Sequence, residues 1–278
     1  MTKTKINRSR DKAGATRHKG GQGRDARIRS GGASDLYLFG VHAVRSALEN
    51  PARRCRRLLV TSESMARESS WLTPLLDAGV SALQPQVAAR DTLDALLPPG
   101  AVHQGLVLQV EALKIAPLGQ LIADLPAGRT VILALDQVTD PHNVGAILRS
   151  AAAFGAAAVI NTDRNAAQET GTLAKSACGG LEHVPYLQVS NLVRTLENLK
   201  KEGFWVAGFA GEAEENLHQA ELPERLVLCL GAEGAGLRRL TRETCDLLLA
   251  LPANGPIRDL NVSNAAAIAL YELLGRRS

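Results

Sequence analysis

The feature that most limits what this chain can become is Val131-Ile132-Leu133-Ala134-Leu135, an apolar run with no polar alternation. A strand with one face in water alternates; a strand covered on both faces need not. Beyond this run, helical and extended patterns take turns. Helices are expected over 144–154, 171–177, 192–202 and 264–276, and strands over 157–160, 184–189, 204–208, 226–230 and 247–251. That alternation predicts an α/β fold, a parallel-type sheet with helices on both sides, over residues 130–278. No internal repeat is visible.

A smaller α/β module is expected over 35–112. It has helices at 41–48, 72–78 and 91–97 and strands at 57–61, 80–83 and 105–110. Residues 113–129, rich in Pro and Gly, read as a linker with a lead-in helix. Residues 1–34 carry ten Lys or Arg against two Asp, while the remaining 244 residues carry 22 basic and 26 acidic groups. This stretch has no apolar periodicity and cannot bury enough surface to order alone. It reads either as a disordered basic arm seeking polyphosphate or as a solubilising tail with no specific partner.

Apolar content excludes other classes. No apolar run approaches the roughly 20 residues of a membrane span, and the basic N-terminus has no apolar segment behind it to make a secretory signal. Cys55, Cys178, Cys229 and Cys245 lie far apart, without metal or redox spacing. They read as reduced thiols of a cytoplasmic protein that needs no metal.

Ligands of open α/β sheets bind beyond the carboxyl ends of strands, and three strand ends here are rich in Gly, Asn and charge. The first runs from Asp136 to Arg149. Asn143 there can cap the following helix, and Arg149 lies six residues on, nearly two turns along. Spacing alone leaves Arg149 as either a surface charge or an anion anchor. The second is Gly231-Ala232-Glu233-Gly234-Ala235-Gly236, which permits close backbone approach but lacks the dinucleotide-binding spacing. It is also compatible with a tight turn carrying a solvated Glu. The third, Pro252 to Ser263, crowds Asn261, Ser263 and Asn264 before the last helix. One such residue would cap that helix; three suggest a further task.

Asn143…Arg149, Gly231 to Gly236 and Leu260-Asn261-Val262-Ser263 resemble, in order and spacing, the three motifs of the SpoU branch of the SPOUT RNA ribose methyltransferases. The likeness is nearest to the members that methylate a guanosine ribose of 23S rRNA. Asp140-Pro141-His142-Asn143, Ala177-Cys178-Gly179-Gly180 and Phe39-Gly40-Val41-His42 extend it over roughly residues 36–277. The resemblance implies a deep trefoil knot in the C-terminal domain and a small L30e-like RNA-binding domain before it. It implies S-adenosylmethionine as cofactor, active sites at a homodimer interface, and a substrate in the peptidyl-transferase region of 23S rRNA or a large-subunit precursor. Leu230, Gly231, Gly236, Leu251, Pro252 and Leu260 are then the residues expected around the cofactor. Arg149, Asn143, Glu233, Asn261 and Ser263 are those expected around the reaction, with Asn143 and Glu233 positioning Arg149. A guanidinium is a reluctant base, so Arg149 is expected to stabilise the developing alkoxide and clamp the adjacent phosphate.

The chain departs from the family pattern at Asp259, where Ser is usual, and at Asn264, where Val is usual. Asp259 could accept the ribose proton or cap the final helix. A tRNA methyltransferase of the same branch, and a non-catalytic RNA-binding assembly protein, are the competing readings.

Overall fold

The computed structural model describes residues 36–78, 83–163, 167–253, 255–256 and 260–276. The basic arm expected over 1–34, most of the strand expected over 80–83, and Asp259 lie outside them.

The chain runs β1 (Leu36–Phe39), α1 (Val41–Glu49), β2 (Cys55–Val60), α2 (Ser62–Arg67), α3 (Ser69–Asp77), β3 (Gln86–Val87), α4 (Arg90–Asp94), β4 (Leu106–Val110) and α5 (Leu118–Ala123). It continues through β5 (Thr130–Asp136), α6 (Pro141–Phe154), β6 (Ala158–Thr162), α7 (Gly171–Ala177), α8 (Gly180–His183), β7 (Tyr186–Val189) and α9 (Leu192–Lys201). β8 (Trp205–Phe209), β9 (Arg225–Gly231), α10 (Arg239–Thr244), β10 (Leu247–Leu249) and α11 (Val262–Leu270) follow, and a π-helical turn, Tyr271–Gly275, ends the described chain.

β1, β2, β3 and β4 form a four-stranded sheet in the order β1-β4-β2-β3. It is mixed: β4 pairs antiparallel with both β1 and β2, and β2 pairs parallel with β3. The other six strands form the sheet β10-β8-β9-β5-β6-β7, in which every pairing is parallel. The non-alternating run that predicted this is the middle of β5, whose seven residues are all buried. Val131, Leu133 and Leu135 belong to one apolar cluster, and Ile132 and Ala134 to another on the opposite face with Ile160, Leu196, Phe204 and Val227. Each fully buried leucine of this kind contributes about 1.5–3 kcal/mol of transfer free energy.

The larger cluster does not stop at the parallel sheet. It runs from Leu133, Leu148 and Leu270 through Leu173 and Ala177 of α7 to Leu38, Leu58 and Leu108 of the mixed sheet. Helix α7 is thus packed between the two sheets' layers. Two glycines show how closely. A Cβ on Gly171 would lie 2.2 Å from the Tyr37 carbonyl oxygen, and one on Gly145 of α6 would lie 2.4 Å from Ser176 Cβ.

Expectation and structure differ at some termini. Asp140, not Asn143, caps α6: its Oδ1 accepts from His142 N at 3.0 Å, with Pro141 at the first helical position, where a missing N–H costs nothing. The final helix, expected to run unbroken to Arg276, becomes π-helical after Leu270. Tyr271 there meets Phe154 edge-on, ring centroids 6.1 Å apart. α8 was not foreseen; it follows Cys178 and Gly179, both in the left-handed region at φ 48° and 94°. All four cysteines are free thiols; Cys229 is buried and the others half-buried.

Candidate active site

From the middle of the parallel sheet, β6 and β7 follow β5 outward on one side, while β9 and then β8 lie on the other. The chain reverses its direction of spread between β5 and β9, the place where open α/β sheets bind ligands. Their carboxyl ends are in register, Asp136 beside Gly231.

The loop after β9 is a closed, glycine-built turn. Gly236 N donates to Ala232 O at 2.8 Å and Ala235 N to Glu233 O at 2.9 Å. Gly234 and Gly236 take φ of 74° and 64°, which L side chains rarely adopt. A Cβ on Gly231 would fall 2.1–2.4 Å from the backbone of Gly236 and Leu237. No other residue type leaves this turn closed, and the closed turn carries Glu233.

Glu233 meets the other two loops. Its Oε1 accepts from Asn143 Nδ2 at 3.0 Å and also from Asn261 Nδ2. Asn261 Nδ2 donates to Asn143 Oδ1 at 2.9 Å, which closes the triangle. Asn261 Oδ1 meanwhile accepts from Ser263 N at 2.9 Å, Asn264 N at 3.4 Å and Ser263 Oγ at 2.5 Å. The crowding before the last helix therefore has a geometric explanation. One end of the Asn261 amide caps α11 while the other ties that helix to α6 and to the glycine turn. Because Asn143 sits inside the first turn of α6 rather than at its cap, its amide is left to face outward.

The glycine turn is held from behind by a pair that the sequence reading missed. Asp136, wholly buried at the end of β5, accepts from Arg238 Nε at 2.6 Å and from Arg238 N at 2.9 Å. The available signal was a carboxylate ending an otherwise apolar strand, since a buried charge requires a partner.

Between the glycine turn and the segment before α11 lies a cleft of about 820 Å³. Leu230, Gly231, Gly236, Leu251 and Leu260, five of the residues expected around a cofactor, line it. Pro252 does not: it is exposed and lies outside the lining. Phe209, Leu249, Glu212 and Arg242 line it as well and were not singled out from sequence. Arg242 donates to Glu212 at the rim and holds that carboxyl below its ordinary range. A cleft of this size, with apolar walls and a few convergent polar groups, suits a small organic ligand.

Arg149 is not part of the triangle. Six residues of helix turn about 600°, some 120° short of two turns, so Arg149 faces away from the side of α6 that carries Asn143. Its Nη1 donates to Cys178 Sγ at 3.6 Å, and the side chain is otherwise exposed. Asn143 and Glu233, expected to position Arg149 and the loop, hold the loop by bonding to each other and to Asn261; among the described residues no hydrogen bond joins either of them to Arg149. What supports Arg149 is the turn between α7 and α8, where a Cβ on Gly180 would lie 2.6 Å from Leu148 O and 3.0 Å from Arg149 Cα.

Comparison with known proteins bears on this geometry. The SpoU rRNA methylase family matches residues 130–271, and a second family, RNA 2'-O ribose methyltransferase substrate binding, matches residues 37–116. The chain is similar to the 23S rRNA (guanosine-2'-O-)-methyltransferase RlmB of Escherichia coli K12, at 43% identity over 245 residues, 87% of this chain and 98% of that protein. It is 42% identical to the RlmB of Shewanella oneidensis over 86% of this chain and 97% of that protein. Among solved structures it resembles the SpoU methyltransferase AviRb from Streptomyces viridochromogenes in complex with AdoMet. The TM-score there is 0.73 and the identity 25%, over 88% of this chain and 91% of that one.

Proposed function

The chain belongs to the SpoU rRNA methylase family, and we propose on that premise that it transfers a methyl group from S-adenosylmethionine to the 2'-hydroxyl of a guanosine in 23S rRNA. The target lies in the peptidyl-transferase region of the large subunit or its precursor. The carrying observation is the single Glu233 oxygen that accepts from both Asn143 and Asn261 at the mouth of the cleft. The relatives at 42–43% identity with that named activity, and the AdoMet-bound structural neighbour, support the reading.

The residues present fit the cofactor. Leu230, Leu251 and Leu260 give apolar walls for an adenine ring, and the backbone of Gly231 to Gly236 offers polar groups without side-chain bulk. Glu212 and Glu233 put carboxylates beside a ligand that carries positive charge. When bound, S-adenosylmethionine supplies a methyl group already activated on a sulfonium. The protein's share is alignment and electrostatics, because a 2'-hydroxyl is a poor nucleophile. Asn261 and Ser263 hold the front of α11 toward the target ribose. The Arg149 guanidinium clamps the adjoining phosphate and stabilises the alkoxide as it forms.

Arg149 and the cleft act together across a homodimer. Three observations support this. Arg149 is exposed and unattached to the triangle of its own chain. Asn264 and Ile268 of α11 and Tyr271 at the start of the π-helical turn form an exposed stripe, with Ile268 46% and Tyr271 53% accessible. Leu260, at the cleft, is 40% accessible. The finer architecture follows the family: a trefoil knot formed by the segments around β9 and α11, an L30e-like RNA-binding domain over 35–112, a linker over 113–129, and a basic arm over 1–34 that adds affinity for RNA. The site of action is the cytoplasm, where ribosomal RNA is found.

Incubation with labelled S-adenosylmethionine and either total rRNA or tRNA tests the proposal. Label in 23S rRNA supports it. Label in tRNA, or in neither, rejects it.

A further inference from the structure

Arg53 sits in a loop between α1 and β2, and its side chain has no solvent exposure. Every nitrogen of its guanidinium is engaged. Nε donates to both carboxylate oxygens of Glu182 at 3.1 Å and Nη2 to Glu182 Oε1 at 2.6 Å. Nη1 donates to Glu169 Oε1 at 2.5 Å and to the Glu111 carbonyl at 2.9 Å. Asn50 Nδ2 adds a bond to Glu182 Oε2 at 2.8 Å, and Leu113 N one to Glu169 Oε2 at 3.2 Å. In the α7–α8 hairpin, Glu169 lies just before α7 and Glu182 within α8; Arg53, Asn50, Glu111 and Leu113 belong to the region matched as substrate binding. Nothing in that family match assigns these residues.

The same hairpin touches that region elsewhere. A Cβ on Gly179 would lie 2.2 Å from Ser46 Oγ, and Lys175 Nζ donates to the Val102 carbonyl at 2.5 Å. On its other side the hairpin carries Cys178, the partner of Arg149, and Gly180, packed on the Arg149 backbone. A continuous path of contacts therefore runs from Arg53 through Glu182 and α8 to Arg149.

We propose that Arg53 is a positioning residue for methyl transfer: by clamping Glu182 and Glu169 it fixes the substrate-binding region against the hairpin that seats Arg149, and so sets where bound RNA meets that guanidinium. The inference rests on the functional reading above. The fork matters as well as the charge, because a lysine offers one point donor where Arg53 spans two carboxylates and a carbonyl. Removing the guanidinium altogether takes from Glu182 and Glu169, one carboxylate buried and one partly buried, the cation that pairs with both, and endangers the fold, so conservative variants carry the test.

Arg53→Lys and Glu182→Gln are compared with wild type for kcat, KM for 23S rRNA and Kd for S-adenosylmethionine, with circular dichroism to confirm folding. The expected result is a kcat about tenfold to a hundredfold lower, the scale of a small misplacement of reacting groups. KM and cofactor Kd stay within a few-fold of wild type, since none of Arg53, Glu169 and Glu182 lines the cleft. Unchanged kcat in both variants overturns the proposal. So does a loss of kcat that only tracks weakened cofactor binding or a reduced folded fraction, which is what a merely structural role produces. Wild type that methylates no rRNA removes the functional reading instead, and this inference with it.

Discussion

Asn261 donates a hydrogen bond of 2.9 Å to Asn143 across 118 residues of chain. The same amide group caps α11 through its oxygen. Two tasks on one side chain can be separated by substitution, because an Asp keeps the accepting oxygen and loses the donor.

Asn261→Asp should leave the cap and the helicity of α11 intact. It places a second carboxylate against Glu233, and like charges in contact repel. Affinity for S-adenosylmethionine should fall at least several-fold by calorimetric titration. Asn261→Ala should lose both tasks, costing about 1 kcal/mol for the missing cap and weakening the cofactor as well. Equal cofactor affinity in wild type and Asn261→Asp would show that the triangle does not shape the cleft.

Gly231→Ala should open the glycine turn. Its new Cβ meets three atoms of the Gly236–Leu237 peptide group at 2.1–2.4 Å, and forced overpacking of this kind costs about 1–3 kcal/mol. Gly211→Ala is the matched control, since Gly211 also lines the cleft but its Cβ would meet nothing within 4 Å. Thermal melts and cofactor titration should show a large loss for Gly231→Ala and nearly none for Gly211→Ala. Similar behaviour of the two would contradict the packing argument.

Cys55 gives a pH dependence. Burial pushes its thiol up to about 11 from an ordinary value of 9.0, with the Arg53 cation opposing and the Glu182 carboxylate reinforcing the shift. Between those values the unfolded chain releases the proton and the folded chain keeps it, so unfolding gains and stability falls as pH rises. Denaturant titrations from pH 8 to pH 11 should show that decline, and Cys55→Ala should flatten it. An identical slope in the variant would remove Cys55 as its source.

Much of this was legible from residue types. The unalternating β5 announced a sheet covered on both faces, and the Gly, Asn and Glu of three strand ends announced the cleft. What was not legible depends on contacts between segments far apart in sequence. Asp136 and Arg238 lie 102 residues apart, and only the closing of the glycine turn brings them together. Spacing leaves the setting of Arg149 open, and six residues at a 3.6-residue period stop a third of a turn short of two turns, which puts it off the side of α6 that carries Asn143. Asn143 reads as a possible cap because Asn commonly is one, yet the Asp140-Pro141 pair before it fills that place. The mixed character of the first sheet was hidden because β1 and β3 are too short to show a pattern.

The account turns on chemistry at Arg149, and single-turnover transfer of labelled methyl to 23S rRNA at saturating S-adenosylmethionine tests it most directly, with wild type beside Arg149→Ala. Wild type should modify a guanosine 2'-oxygen, and the variant should be slower by about 10²–10³, the usual scale for removing one charge-stabilising donor. Equal rates for the two proteins, or no transfer by wild type, would contradict it.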